Sequence, residues 1–357
     1  MIDSLAISAI LPCYNHADYI EERIKSVLRQ SLTVSEIVFL DDASTDDSVS
    51  IARNLLSNAK CPVHYLLNSI NSGSPFSQWN KGILAARGNF IWIAETDDSC
   101  HTDLLQTLWN ATREGSSSMA WCQSTIIDTS GVHLFSAEEW HNHIYPGLFT
   151  DDFQMSGEKF TRRYLCARNL IHNASAVLFS REAYIKSGMA ASNLRYSGDW
   201  LLWINLLRGR SMSFVSQNLN YFRSHDTTSR ANPDSERLVT ENLICMFTAI
   251  GHKSTDADYG SYARIQVGPG CLLSGFQNPQ FCNYLHLSLR IRDIPALGRR
   301  FHSVGCPVNF SPCAIVIMIL FAFCSTILSS LNAISSTLLL YFYKYKSFMH
   351  RYFCRIG

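Results

Sequence analysis

The chain has 357 residues, enough for two to three domains and a large core. At 47% hydrophobic and 17% charged it is not a disordered chain, and a formal net charge of +1 gives no bulk attraction to nucleic acid. The low charged fraction points instead to a membrane-associated portion.

Twelve cysteines are scattered from Cys13 to Cys354 without a CxxC pair. Such spacing offers no zinc cluster, and a chain this long is no small disulfide scaffold. Reduced, mostly buried thiols are expected. Leu5 to Cys13 is apolar but follows Asp3, so it reads as a strand and not as a secretory signal. The N-x-S/T triplets at Asn110 and Asn173 carry no weight without secretion.

The first hundred residues alternate strand and helix. Ala6 to Leu11 is an apolar run ending at Pro12. Asp18 and Glu21 form a capping box for a helix whose stripe is Ile20, Ile24, Val27 and Leu28. Glu36 to Leu40 is a second strand and stops at Asp41-Asp42. Ser44 or Thr45 caps the next helix, with Val49, Ala52 and Leu56 inward. Val63 to Leu67 is a third strand, and a turn cluster follows from Asn71 to Pro75. A helix from Trp79 to Ala86 stops at Gly88, and a fourth strand, Phe90 to Ala94, runs into Glu95-Thr96-Asp97-Asp98.

Uninterrupted apolar strands joined by helices imply an α/β fold with a mostly parallel sheet covered on both faces. Ligands then bind at the carboxyl ends of the strands. Those ends carry Pro12-Cys13-Tyr14-Asn15, Asp41-Asp42 and Asp97-Asp98. No GxGxxG or GxxxxGK[ST] loop follows the first strand, which argues against a dinucleotide fold and a P-loop. A phosphoreceiver domain also uses acids at strand ends, but it is about half this long.

Further on, 124–128 and 132–135 read as a hairpin across Thr129-Ser130-Gly131, and 133–161 as loops over the sheet. Ala174 to Phe179 is a strand, Arg181 to Lys186 a short helix, and Asp199 opens an aromatic helix, Trp200 to Leu207. The domain plan is 1–230 as the α/β domain, 231–300 as a helical extension, and 301–357 as an apolar membrane-associating segment with a basic tail. Phe301 to Tyr343 contains no Asp, Glu, Lys or Arg. As one helix it would run about 65 Å, twice a bilayer core. It therefore reads as two pieces broken near Ser329 to Asn332, and basic flanks favour both ends on the cytoplasmic side, as in a re-entrant or hairpin anchor; a single span and a buried helix pair are the alternatives.

Three features carry chemistry. Glu95, Asp97 and Asp98 cluster at a buried strand end; such carboxylates repel and call for Mg²⁺ or Mn²⁺, with substrate phosphates completing the shell. Asp199 at a helix start among tryptophans suits a general base. Arg223 and His225, after Tyr221-Phe222, suit phosphate oxygens or the metal.

Together these residues resemble family 2 glycosyltransferases of the GT-A fold, over residues 6 to 230. Pro12-Cys13-Tyr14-Asn15 resembles the family's P-x-Y-N, and Asp41 to Asp46 its D-D-x-S-x-D turn. Asn71 and Gly73, Asn80 and Gly82, and Ala86-Arg87-Gly88 follow its middle pattern. Glu95 to Asp98 stands at its DxD-like metal motif, with Glu in the first place, and Gly198-Asp199-Trp200 at its catalytic base. The resemblance implies that Tyr14 stacks on the nucleotide base and Asp42 holds it. It implies that Asp97 contacts ribose or phosphate, Asp98 holds the metal, and Asp199 deprotonates the acceptor hydroxyl. It implies an inverting transfer from a nucleotide-diphosphate sugar. The apolar C-terminal segment then suggests a lipid-linked glycan acceptor at the cytoplasmic face of the plasma membrane, in O-antigen or capsule synthesis. The competing readings are a non-catalytic GT-A scaffold on the membrane and a nucleotidyltransferase.

Overall fold

The apolar runs become strands of one sheet. The computed structural model describes residues 6–225 and 234–250. In chain order the elements are β1 (Ile7–Cys13), α1 (Ile20–Leu28), β2 (Glu36–Asp41), α2 (Ser48–Leu56), β3 (Val63–Leu67), α3 (Pro75–Ala85) and β4 (Phe90–Ile93). Next come β5 (Ser99–Cys100), α4 (Leu104–Glu114), β6 (Met119–Ile127), β7 (His133–Ser136), α5 (Ala137–Ile144), β8 (Phe153–Ser156) and α6 (Gly157–Phe160). The last are β9 (Val177–Ser180), α7 (Arg181–Lys186), α8 (Gly198–Leu206), β10 (Ser211–Arg223) and α9 (Ser235–Ile250).

The strand order is β3-β2-β1-β4-β9-β6-β10-β5, with β7 on β6 and β8 on β10. The first four strands are parallel, as the sequence pattern predicts. The second half is mixed: β9 runs antiparallel to β4 and β6, while β10 is parallel to β6. "Mostly parallel" therefore holds only for the first half. The long excursion between β6 and β9 brings the chain back into the sheet in the opposite direction.

Both faces of β1 and β2 are buried, which explains their unbroken apolar runs. Ala9, Leu11 and Phe39 pack with Ile24 of α1 and Leu105 of α4. Ile10 and Leu40 face α3, where a Cβ on Gly82 would stand 2.7 Å from Ile10 and 2.8 Å from Leu40. Pro12 sits inside β1, yet β1 pairs with β4 only as far as Ile10, so its missing N–H leaves no gap in the ladder. The Pro12 carbonyl accepts from Thr96 Oγ1 instead.

The boundaries shift for local reasons. Asp18 does not cap α1; Tyr19 is the N-cap without a side-chain bond, and the His16 carbonyl takes the Tyr19 and Ile20 N–H groups. Asp47, not Ser44 or Thr45, precedes α2. Helix α3 starts early, at Pro75, with Ser74 Oγ accepting from Ser77 N. The 133–161 region is not all loop, since it holds β7, α5, β8 and α6. The apolar segment 301–343 and its basic flanks lie outside the described residues, as does most of the 231–300 extension beyond α9. Among the described residues no helix is long and apolar enough to cross a membrane.

Glu36 clips the edge of the sheet away from the strand ends. Its buried Oε1 accepts from Ser8 Oγ at 2.6 Å, Arg87 N at 2.5 Å and Gly88 N at 3.2 Å. Burial works against its charge, but these hydrogen bonds hold its pKa below the ordinary 4.5. The stabilisation is thus present above the ordinary carboxylate range and lost as pH falls through the depressed value. Glu36→Ala is expected to cost about 2–4 kcal/mol at pH 7 and to narrow its deficit against wild type on acidification. Urea melts at pH 7 and pH 3.5 check this; a constant deficit contradicts it.

Candidate active site

Chain order reverses between β1 and β4, the place where an open α/β sheet leaves a crevice. The loops that follow β1 and β2 are laced together there. Asp42 N donates to the Cys13 carbonyl at 2.9 Å and Asn15 N to Ser44 Oγ at 2.9 Å. Asn15 Oδ1 accepts from Thr45 N at 2.8 Å, and Asp46 Oδ2 from Ala17 N at 2.9 Å. Asn15 has φ 54° and Ala43 φ 63°, so both loops turn sharply. Tyr14, 46% exposed, projects from this frame. Asn15 is therefore a builder of the loop pair, since its side-chain oxygen is committed to the neighbouring turn.

Asp42 is also a builder. It is buried, and its Oδ1 accepts from Asn68 Nδ2 (2.6 Å), Ser72 N (2.8 Å) and Gln78 Nε2 (2.8 Å), while Oδ2 accepts from Ser72 Oγ (2.7 Å). Four donors nearly fill a carboxylate's acceptor capacity. Asp42, expected to hold the nucleotide base, has both oxygens bound to the loop after β3 and to α3. Its neighbour Asp41 receives Ser44 N at 3.0 Å on Oδ2 and leaves Oδ1 buried without a hydrogen-bond partner among the described residues.

The acids after β4 divide sharply. Glu95 Oε1 accepts from the Trp79 indole N–H at 2.7 Å. Burial, then the charges of Asp97 and Asp98, push its pKa up to about 8. Asp98 is 1% exposed and points inward. Its Oδ2 accepts from Asn173 Nδ2 (2.7 Å) and Ser175 Oγ (2.7 Å), and its Oδ1 from Arg223 N (3.0 Å). Burial and the Asp97 charge raise its pKa to about 6. Protein donors thus reach both Asp98 oxygens, and Glu95 is bound to Trp79. Asp97 remains. It is part-exposed, and its Oδ2 stands 3.1 Å from His225 Nε2. Burial opposes its charge, yet the His225 hydrogen bond and the nearby His16 and His225 rings hold its pKa below the ordinary value.

Arg223, expected at phosphate, is a clamp. Its Nε donates to the Asp97 carbonyl at 2.8 Å, Nη1 to the Asp128 and Thr129 carbonyls, and Nη2 to Glu22. His225, expected at phosphate or metal, meets Asp97, and its ring packs 5.3 Å from the Tyr19 ring.

Asp199 lies in the first turn of α8, where the helix dipole favours a carboxylate. Its Oδ2 accepts from Asn169 Nδ2 at 3.0 Å and its Oδ1 from Trp200 N at 2.8 Å. Gly198 admits the Phe76 ring; a Cβ there would stand 2.5 Å from it. Phe76 packs edge-on against Trp79, which holds Glu95, so contacts run unbroken from the acid loop to α8. Asn169, Asn173, Ser175 and Glu22 escaped the sequence reading because single polar residues carry no spacing signal. Glu241 of α9 escaped too. It is buried, and its carboxylate accepts the Arg195, Tyr196 and Ser197 N–H groups that lead into α8.

This arrangement of strand-end acids on a GT-A sheet agrees with the sequence model of glycosyl transferase family 2, which matches residues 8–187. The chain belongs to that family. The GalNAc(5)-diNAcBac-PP-undecaprenol beta-1,3-glucosyltransferase of Campylobacter jejuni is 25% identical over 307 residues, 82% of this chain and 91% of that one. Other curated relatives are spanned less fully, 62% of YibD of Escherichia coli and 32% of the poly(ribitol-phosphate) beta-glucosyltransferase of Bacillus spizizenii. Among solved structures, Staphylococcus aureus TarS 1-349 in complex with UDP-GlcNAc superposes with TM-score 0.59 at 17% identity, over 84% of each chain. The mannosyltransferase PcManGT of Pyrobaculum calidifontis, in complex with GDP-Man and Mn²⁺, gives TM-score 0.53 at 14% identity over 90% and 86%. At those identities the likeness shows the fold alone.

The protonated Glu95 has a measurable signature. Between pH 4.5 and about 8 the folded chain holds a proton that the unfolded chain has released, so this group makes stability fall as pH rises. In EDTA, Glu95→Gln is expected to flatten that fall and to raise the thermal midpoint at pH 8. A profile parallel to wild type contradicts the assignment.

Proposed function

We propose that this chain is an inverting, metal-dependent glycosyltransferase that moves a sugar from a nucleotide-diphosphate donor to a lipid-linked or polymeric envelope glycan. The observation that carries the reading is the split between adjacent acids: Asp98 is bound inward, and Asp97 meets His225 on the crevice side.

Asp97 and His225 fit a divalent ion as a pair. They offer a carboxylate oxygen and an imidazole nitrogen 3.1 Å apart. Among the described residues no cluster of three His, Cys, Asp or Glu side chains could hold a metal, which suits an ion whose remaining ligands come from a diphosphate. The ligand set proposed is therefore Asp97 with His225, and Mg²⁺ or Mn²⁺ would neutralise charge growing on the leaving diphosphate. PcManGT, a fold neighbour, was solved with Mn²⁺.

The protein's own residues do the rest. Tyr14 offers an exposed ring for the nucleotide base, and the loop pair built by Asn15 and Asp42 holds it in place. Asp199, at a helix N-terminus and oriented by Asn169, takes the proton from the acceptor hydroxyl. Direct attack on an oxocarbenium-like centre inverts the anomeric carbon without a covalent intermediate.

The lipid-linked acceptor is supported by the activity of the Campylobacter relative, 91% of which this chain spans. It is also supported by the uncharged apolar stretch 301–343, which would anchor the enzyme at the cytoplasmic face of the plasma membrane. The plan of a catalytic domain at 1–230, a helical extension and an anchor belongs to this proposal.

Release of nucleoside diphosphate from UDP-, GDP- and dTDP-sugars, with Mn²⁺, Mg²⁺ or EDTA, tests it. Turnover of one donor is expected, abolished by EDTA and lowered about 10²–10⁴-fold in Asp199→Asn and in Asp97→Asn. A folded chain that binds none of these nucleotides would contradict the reading.

A further inference from the structure

One face of α1 meets the acid turn after β4. Tyr19, Glu22 and Arg23 stand at i, i+3 and i+4, so their side chains share a side of the helix. The Tyr19 ring packs 5.3 Å from the His225 ring and 5.1 Å from the Arg223 guanidinium, and Glu22 pairs with Arg223. Arg23 goes deeper. It is fully buried, and its Nε donates to the Glu95 carbonyl at 2.8 Å. Its Nη2 stands 3.7 Å from Asp98 Oδ2, and its guanidinium carbon lies 5.5 Å from the centre of the Trp92 ring. Among the described residues neither Nη group hydrogen-bonds an oxygen or a nitrogen.

A guanidinium keeps its charge where water is excluded. A buried ion pair adds little stability over apolar side chains of similar volume. What Arg23 does fix is backbone. The Glu95 carbonyl that takes its Nε–H also takes the Asp98 N–H at 3.2 Å, which closes the turn from Glu95 to Asp98. Asp97 lies inside that turn, and Arg223 Nε donates to its carbonyl at 2.8 Å from the β10 side. Two buried guanidiniums, one from α1 and one from β10, thus grip the carbonyls of Glu95 and Asp97. The Asp97 carboxylate is left 3.1 Å from His225.

We propose that Arg23 is a positioning residue: through the Glu95 carbonyl it sets the turn that holds Asp97 towards His225, and with it the seat of the divalent ion. The seat rests on the glycosyltransferase reading; the grip on the turn does not. Arg23 is fully buried, so it acts through Asp97 and not on the ion itself. Without its Nε–H the Glu95 carbonyl loses a donor and the turn relaxes, and a metal site tolerates little displacement of its ligands. Removing a group that orients a metal ligand from behind typically weakens the metal about 10–100-fold.

The test titrates Mn²⁺ into the full chain with UDP, GDP or dTDP, followed by electron paramagnetic resonance. Nucleotide binding in EDTA is measured by calorimetry, and hydrogen exchange of the peptide carrying Asp98 by mass spectrometry without metal. Arg23→Met is expected to bind Mn²⁺ about 10–100-fold more weakly and metal-free nucleotide as wild type does. Its turn is expected to exchange faster while β2 exchanges as before. Glu36→Ala, destabilised away from the strand ends, is expected to keep wild-type Mn²⁺ affinity, which separates positioning from lost stability. Should Arg23→Met not fold, Arg23→Lys is used: it keeps a charge but has no Nε–H fork, and the same split is expected. The inference is overturned if the folded variant binds Mn²⁺ and exchanges as wild type does, if it loses nucleotide along with the ion, or if Glu36→Ala loses Mn²⁺ as fully. Wild-type protein that binds no Mn²⁺ with any nucleotide sinks the ion of the proposed function instead, and exchange over the turn still decides the place of Arg23.

Discussion

Asp98 is a carboxylate sealed inside the protein, and two distant segments close on it. The amide of Asn173, the hydroxyl of Ser175 and the backbone N–H of Arg223 all donate to it. Removing a charge from water is costly unless such donors replace the lost hydration. Their convergence fixes the end of β10 and the turn before β9 against the loop after β4. Arg223 extends the tie through the Asp97 carbonyl and Glu22. With Asp98 turned inward, its neighbour Asp97 is left beside His225 on the crevice side. The candidate metal position therefore depends on a residue that need not touch the metal.

The wall beside the β1 and β2 loops is built in the same manner. Asp42 gathers donors from Asn68, Ser72 and Gln78, and so shapes the wall between β3 and α3. Glu241 gathers three backbone N–H groups ahead of α8 and sets where Asp199 emerges. Buried carboxylates thus act as knots in three loops, and the residues proposed for chemistry sit on those loops at the next position or the next turn. Charge is neutralised locally, consistent with a net charge of only +1 over the whole chain.

Much of this was legible in the order of residues. Apolar runs that stop abruptly, at Pro12 for β1 and at acids for β2 and β4, marked these strands and their shared edge, because a strand buried on both faces cannot hide where it ends. Gly198 before Asp199 marked the start of α8. The division of labour was not legible. Asp97 and Asp98 are identical and adjacent, and which one turns inward depends on partners 75 to 125 residues away. Asn173 stood out only as part of a triplet with no bearing on its role. β10 is interrupted by register shifts between Val215 and Asn220, so alternation along it is broken and its length was hidden. Arg223 offered a free charge on paper, and only the fold reveals that backbone carbonyls and Glu22 take its donors.

The central claim is that the divalent ion is held from Asp97 and His225, with Asp98 behind it as a structural anchor. Electron paramagnetic resonance of Mn²⁺ titrated into the full chain with the nucleoside diphosphate of its donor tests this most directly. The account predicts that Asp97→Asn and His225→Ala lose nucleotide-dependent Mn²⁺ binding while staying folded. It predicts that Asp98→Asn lowers the melting temperature yet keeps Mn²⁺ binding in the folded protein. Loss of Mn²⁺ binding in a fully folded Asp98→Asn variant, with binding retained in Asp97→Asn, would contradict it.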